Sequence, residues 1–115
     1  MDFDFSKNAG SSAQREVDAI ELAAMIRGGE ALVIDVREND EFASGHIPGA
    51  ISMPLSTFEP SLLPAAEGKR PVLACLGGKR SAMALMKCTA AQAAVDTHLA
   101  GGFSAWKAAG LPVEK

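Results

Sequence analysis

The chain is short of several things, and each shortage closes off a class of protein. Among 115 residues there are two cysteines, Cys75 and Cys88. Two are too few for a disulfide scaffold, so a reducing compartment is the simpler reading. The two histidines, His46 and His98, do not join them at any metal-ligand spacing, so no metal is expected. Neither charge dominates: 11 Lys and Arg against 14 Asp and Glu leave a net charge of −3 and a pI near 5.3. With no basic face to neutralise phosphates, nucleic acid is not an expected partner. No apolar run reaches the ~18 residues of a membrane span, so no membrane is expected either. The opening Met1-Asp2-Phe3-Asp4-Phe5 is acidic and has no apolar core, unlike a secretion signal, and the expected location is cytoplasmic. There is no internal repeat.

What is present suits one folded domain. Hydrophobic residues make up 48% and charged residues 22%, close to the globular average. Residues 1–13 mix Ser, Asn, Gly and charge without period and read as a flexible arm; residues 14–115 read as one domain. Glu16-Val17 suggests a short strand. Asp18 with Glu21 has the spacing of a capping box, opening a helix that Gly28-Gly29 ends. Ala31 to Val36 is a continuous apolar strand of the kind buried on both faces. A short helix over Glu38 to Ala43, a strand at Ala50 to Met53 and an irregular stretch broken by Pro60 and Pro64 follow. A second buried strand spans Pro71 to Cys75. A helix then runs from about Ser81 to Ala91, offering Met83, Leu85, Met86 and Ala90 to a core. A last strand at Val95 to Leu99 turns at Gly101-Gly102 into a helix over Phe103 to Ala109. Strands alternating with helices imply an α/β domain with a mostly parallel sheet and helices on both faces, where ligands sit beyond the carboxyl ends of strands.

Cys75 lies at such an end. The segment Cys75-Leu76-Gly77-Gly78-Lys79-Arg80-Ser81 joins an apolar strand to a helix through two glycines and two cations. The glycines permit a tight turn whose N–H groups face one point. Those amides, the positive helix end and the charges of Lys79 and Arg80 converge on the sulfur, and each favours the nucleophilic thiolate. Cations in a first helical turn oppose the macrodipole, at about 0.3–1 kcal/mol each, so their presence points to an anion they serve. The bland alternative is a small buried cysteine before an ordinary turn.

Four blocks stand out in order along the chain: Leu32 to Glu38, Glu41 to Ala50 (Glu-Phe-Ala-Ser-Gly-His-Ile-Pro-Gly-Ala), the Cys75 to Ser81 loop, and Leu99 to Trp106 with Gly110-Leu111-Pro112-Val113. Together they resemble the rhodanese family of single-domain sulfurtransferases. The resemblance implies a central five-stranded, mostly parallel sheet flanked by helices. It also implies a reaction. Cys75 takes a sulfane sulfur from a donor such as thiosulfate, becomes a persulfide, and passes the sulfur to cyanide or a thiol; a protein thiol is a further candidate acceptor. The amides of Leu76, Gly77, Gly78, Lys79 and Arg80 would cradle the outer sulfur, and Lys79 and Arg80 would bind the anionic donor. No cofactor is implied. Related phosphatases of similar fold use a loop one residue longer; here four residues, Leu76 to Lys79, separate Cys75 from Arg80, a ring better sized for sulfur than for phosphate. A carrier or docking module on the same fold, without turnover, is the second reading.

Supporting roles fall to Asp35 and Arg37, a charge pair bracing the strand-end loops, and to His46 and Ser81 close to the site. His98 has no partner visible in the sequence. Cys88, seven residues after Ser81, shares its helix face and reads as a small buried side chain. Trp106 is expected to pack the last helix on the sheet. Leu76, apolar inside the loop, hints at an apolar or protein acceptor. The stretch Thr89 to Val95 lacks the glycine usual before the family's last strand, which leaves the end of that helix open.

Overall fold

A computed structural model describes residues 14–115. The N-terminal arm expected over residues 1–13 lies outside the described residues. Strands β1 (Arg15–Val17), β2 (Ala31–Asp35), β3 (Ile51–Ser52), β4 (Arg70–Ala74) and β5 (Thr97–Leu99) form one sheet in the order β1-β5-β4-β2-β3. Every pairing is parallel. Helices α1 (Ala19–Arg27), α2 (Asn39–Ser44), α3 (Lys79–Ala90) and α4 (Gly102–Ala108) connect and cover the strands, and two 3₁₀ turns, Leu55–Thr57 and Pro60–Leu62, occupy the proline-broken stretch.

Alternation along the central strands builds two cores, one on each face. Val33 and Val72 point to one side, where Leu22 of α1 and Phe103 and Trp106 of α4 close over them. Ile34 and Leu73 point to the other, against Ala84, Leu85 and Cys88 of α3 and Phe58 from the connection after β3. Continuous apolar strands are what a sheet covered on both faces requires. The Asp18–Glu21 capping box forms: the Glu21 amide donates to Asp18 at 2.7 Å, and Glu21 accepts from the Asp18 amide at 3.4 Å. Trp106 is buried and donates its indole N–H to the Pro112 carbonyl at 2.7 Å.

Two features of α3 differ from the sequence reading. Its buried stripe is Ser81, Ala84, Leu85 and Cys88, a clean i, i+3, i+4, i+7 pattern; Met83 and Met86 face solvent, Met86 at 65% exposure, and Ala90 is exposed too. Hydrophobicity alone had favoured the methionines, but the helix register is set by Ser81, which the loop pulls inward. The helix also starts at Lys79, two residues earlier than expected, because Gly78 turns the chain in the left-handed region at φ 107° and serves as N-cap. Its C-terminus explains the missing glycine. Gln92 adopts φ 57°, and the Gln92 and Ala93 amides bond back to Thr89 (3.0 Å) and Cys88 (2.8 Å), the Schellman pattern that glycine ordinarily serves. Gln92→Gly is therefore expected to stabilise the fold by about 1 kcal/mol, the left-handed penalty of a side chain less glycine's entropy. A urea titration checks it, and a loss of stability would contradict the strain assigned to Gln92.

Candidate active site

β4 and α3 position the sulfur. Val36 donates to the Ala74 carbonyl at 2.8 Å, tying the end of β2 to the end of β4. Cys75, one residue beyond β4, is 1% exposed. The Gly78 amide donates to its Sγ at 3.0 Å, and the thiol lies 3.6 Å from the Ser81 hydroxyl. Burial by itself pushes the Cys75 thiol up; the amides of Ser81, Gly78 and Gly77 and the Ser81 hydroxyl outweigh it, so the net direction is down, toward thiolate. Cys88 has burial without those donors, and its thiol is pushed up. The two cysteines are thus shifted in opposite directions.

The two loop glycines are not equivalent. Gly78 needs its left-handed backbone, whereas Gly77 has open space where a side chain would stand. A third glycine, which the sequence reading took only as a turn, is built into the site. Gly102, at φ 61°, sits directly against the Cys75–Leu76 peptide, where a Cβ would fall on both carbonyl oxygens. That approach lets the first amides of α4 reach the loop: Phe103 donates to the Cys75 carbonyl at 2.8 Å and Ser104 to the Leu76 carbonyl at 3.0 Å. Gly102→Ala is expected to cost about 2 kcal/mol or more, and Gly77→Ala about 0.5 kcal/mol or less. Equal losses in urea unfolding would refute the difference.

The charged residues divide into two sets. Asp35 and Arg37 are both buried, with Arg37 Nη2 2.8 Å from Asp35 Oδ2 and Nε 3.1 Å from each oxygen. Nη2 also donates to the Gly45 carbonyl at 2.7 Å, and the guanidinium lies 4.4 Å from the centre of the Phe103 ring. This pair joins the end of β2 to α2 and α4, and neither side chain bonds to Cys75. Arg80 is held by Glu41 of α2 through a two-pronged contact, Nη1–Oε1 2.7 Å and Nη2–Oε2 3.0 Å. The sequence reading quoted Glu41 only as part of a block; its partnership crosses 39 residues, which no local spacing reveals. Lys79 is exposed and has no carboxylate partner among the described residues. Leu76 is exposed over the loop.

His46 finds its partners on α2 and the C-terminal segment and makes no hydrogen bond to Cys75. Its ring stacks on Phe42 at 3.7 Å, its Nδ1 lies 2.8 Å from the Phe42 carbonyl, and its backbone pairs with Glu114. His98, which had no partner in the sequence, is buried on β5 with Nδ1 2.8 Å from Ser81 Oγ and Nε2 3.3 Å from Glu16 Oε2. Among the described residues no cluster of His, Cys, Asp and Glu is arranged to hold a metal, and no helix is long and apolar enough to cross a membrane.

The Rhodanese-like domain profile matches residues 18–109. The chain belongs to the rhodanese-like family. It is 49% identical over 84 residues to an uncharacterized protein of Synechocystis sp., covering 73% of this chain and 47% of that protein. It is 29% identical over 100 residues to the thiosulfate:glutathione sulfurtransferase of Homo sapiens, covering 75% of this chain and 87% of that protein. The crystal structure of thiosulfate sulfurtransferase from Pseudomonas aeruginosa superposes with a TM-score of 0.75 at 30% identity, over 96% of this chain and 22% of that one. The chain spans about half the length of the first curated relatives it matches.

The Glu41–Arg80 contact has a pH signature. Arg80's hydrogen bonds hold the Glu41 carboxyl well below its ordinary 4.5, at about 2, against the opposing effect of burial. A carboxyl whose folded value is depressed contributes stability that is complete above its unfolded value and is lost as pH falls through the folded one. Between pH 4.5 and about 2, wild type is expected to lose more stability than Glu41→Gln in urea midpoints. Parallel curves would show that the contact contributes nothing to folding.

Proposed function

We propose that the protein is a sulfurtransferase working through a Cys75 persulfide. The observation that carries this reading is the Cys75 sulfur under the Gly78 amide, its thiol shifted toward thiolate. The thiolate attacks the sulfane sulfur of an anionic donor such as thiosulfate; a new S–S bond forms, the donor's S–S bond breaks, and sulfite departs with the electron pair. Cyanide or a thiolate then attacks the outer sulfur and restores the Cys75 thiolate. These are two half-reactions of covalent catalysis, and they call for neither metal nor organic cofactor. The amides of the Leu76 to Arg80 loop receive the outer sulfur, and Lys79 and Arg80 draw in the anion. Asp35, Arg37, His46 and Ser81 hold the elements around the site in place. The names of the human and Pseudomonas relatives support this chemistry. Exposed Leu76 beside the loop suits an apolar or protein thiol acceptor. Both cysteines are free thiols, which supports a reducing, cytoplasmic setting.

One observation favours a second reading. At 1% exposure Cys75 is nearly closed to solvent, as a carrier or docking module without turnover would tolerate. Intact-protein mass spectrometry separates the two. After thiosulfate, wild type is expected to gain one sulfur atom and lose it to cyanide as thiocyanate forms; Cys75→Ser is expected to do neither. No gain on wild type rejects thiosulfate transfer in favour of the docking module. Arg80→Ala is expected to raise KM for thiosulfate more than for an uncharged persulfide donor, and equal effects would remove the charge from donor binding.

A further inference from the structure

Ser81, His98 and Glu16 form a line of polar groups that ends at the reactive sulfur. The register of the sheet makes it: Glu16 on β1 lies opposite His98 on β5, and His98 lies opposite Leu73 on β4, on the face that α3 covers. Ser81, in the first turn of α3, bridges the gap between the histidine ring and Cys75. A buried imidazole beside a buried hydroxyl and thiol stands out on a face otherwise made of apolar residues such as Ile34, Leu73, Leu85 and Phe58, and each of these polar groups has a partner.

The hydrogens follow from what each partner can accept. Glu16 Oε2 is a carboxylate oxygen, so Nε2 of His98 carries a proton and donates it across 3.3 Å. In the tautomer with the proton on Nε2 alone, Nδ1 is an acceptor, and the Ser81 hydroxyl 2.8 Å away is placed to donate to it. The same hydroxyl has a second acceptor in the Gly78 carbonyl at 3.1 Å, which also receives the Ala82 amide at 3.2 Å, so its proton has two places to go and the relay uses the one on the histidine. The oxygen of Ser81 is thereby free to accept from the Cys75 thiol at 3.6 Å. Every donor points the same way, from sulfur to imidazole to carboxylate.

We infer that His98 stores the proton that Cys75 releases when it becomes a nucleophile, with Ser81 as the bridge and Glu16 as the counter-charge. The S–H bond breaks as an O–H bond forms on Ser81; the hydroxyl's own proton passes to Nδ1. The products are a Cys75 thiolate, a neutral Ser81 and an imidazolium whose two N–H groups face Ser81 and Glu16. The new hydroxyl proton turns back to the sulfur, which then receives both it and the Gly78 amide. No electron moves between residues and no co-reactant is consumed. When a new thiolate leaves Cys75 at the end of a cycle, the same line can return the proton. Ser81 touches the reacting sulfur; His98 and Glu16 are positioning residues that act through it.

The charged and titratable groups around this line, among the described residues, are few. Glu16 comes from β1, and Arg80 comes from α3 with Glu41 of α2 bound to it. Asp35 and Arg37 stand beyond the end of β2, paired to each other. Cys88 lies further along the buried stripe of α3. Asp96, next but one to His98 on the chain, is engaged with Arg70.

The inference rests on Cys75 being the nucleophile, and its test needs no sulfur donor. The rate of Cys75 alkylation by iodoacetamide is measured against pH on the full chain, read at the Cys75 peptide by mass. Ser81→Ala and His98→Gln are each expected to move the midpoint upward by about one pH unit, a ten-fold slower reaction below it. The double variant is expected to go no further than either, because both break one line. Glu16→Gln is expected to move the midpoint in the same direction by less. Plateau rates at high pH are expected to stay equal, since ionisation and not access is altered. A wild-type midpoint in His98→Gln, or full additivity in the double variant, overturns the proposal. If His98→Gln does not fold, Glu16→Gln decides alone: its side chain is 63% exposed, and an unmoved midpoint overturns the relay. A moved midpoint without persulfide formation on thiosulfate would keep the relay and remove thiosulfate transfer.

Discussion

Placing a thiolate in a protein interior costs free energy unless hydrogen bonds replace the water it gives up. Cys75 is buried, so the whole site is arranged around that demand. The parallel sheet leaves the end of β4 as a point where strand hydrogen bonding stops and an unpaired sulfur can sit. Gly78 then turns the chain so that its own amide and the start of α3 face back to that sulfur. α4 meets the loop's acceptors: its first amides take the carbonyls of Cys75 and Leu76. Gly102 is the residue that allows this, since only its bare backbone fits so near the loop.

The buried Asp35–Arg37 pair serves the same end by different means. Two charges removed from water are tolerated when nearly every donor and acceptor is met, and here the guanidinium meets a carboxylate, a carbonyl and an aromatic face. Each partner belongs to a different element: β2, the end of α2, and α4. The pair therefore fixes the three segments that surround the loop without contributing an atom to it. α4 is held both at Phe103, over which Arg37 lies, and at its first amides, which hold the loop. A shift of α4 would be felt at Cys75 directly.

Much of this was legible in the sequence, and the residues that were not share a reason. Caps, continuous apolar strands and the Cys75 to Ser81 loop are local patterns, carried by neighbours within a few positions, and the described structure follows them closely. The family resemblance supplied the five-stranded sheet that no local pattern contains. What stayed hidden depends on long-range approach: Glu41 with Arg80, His98 with Ser81 and Glu16, and Gly102 against Cys75. Helix α3 shows the limit within one element. Its methionines looked suited to a core, but the helix's rotation is decided by where Ser81 must point, and that is a property of the loop and of β5. Gln92 shows the converse, a turn whose geometry persists although the residue that usually permits it is absent.

The Glu41–Arg80 contact raises the question of how a cation already paired can attract an anion. The guanidinium has five N–H groups, and the carboxylate engages two of its nitrogens, so donors remain for a second partner. Charge is the harder part, because Glu41 offsets what Arg80 would present. The contact is 30% exposed on both sides, and ion pairs near solvent contribute about 1 kcal/mol or less. On the sulfur-transfer reading, an anionic donor that also meets the loop amides and Lys79 would have to displace only this weak contact. Without an anion, the carboxylate holds the guanidinium against α2. On the sulfur-transfer reading, Glu41 is thus a placeholder for the donor. The opposing dipole at the start of α3 is then a standing cost that Glu41 reduces while the site is empty of substrate.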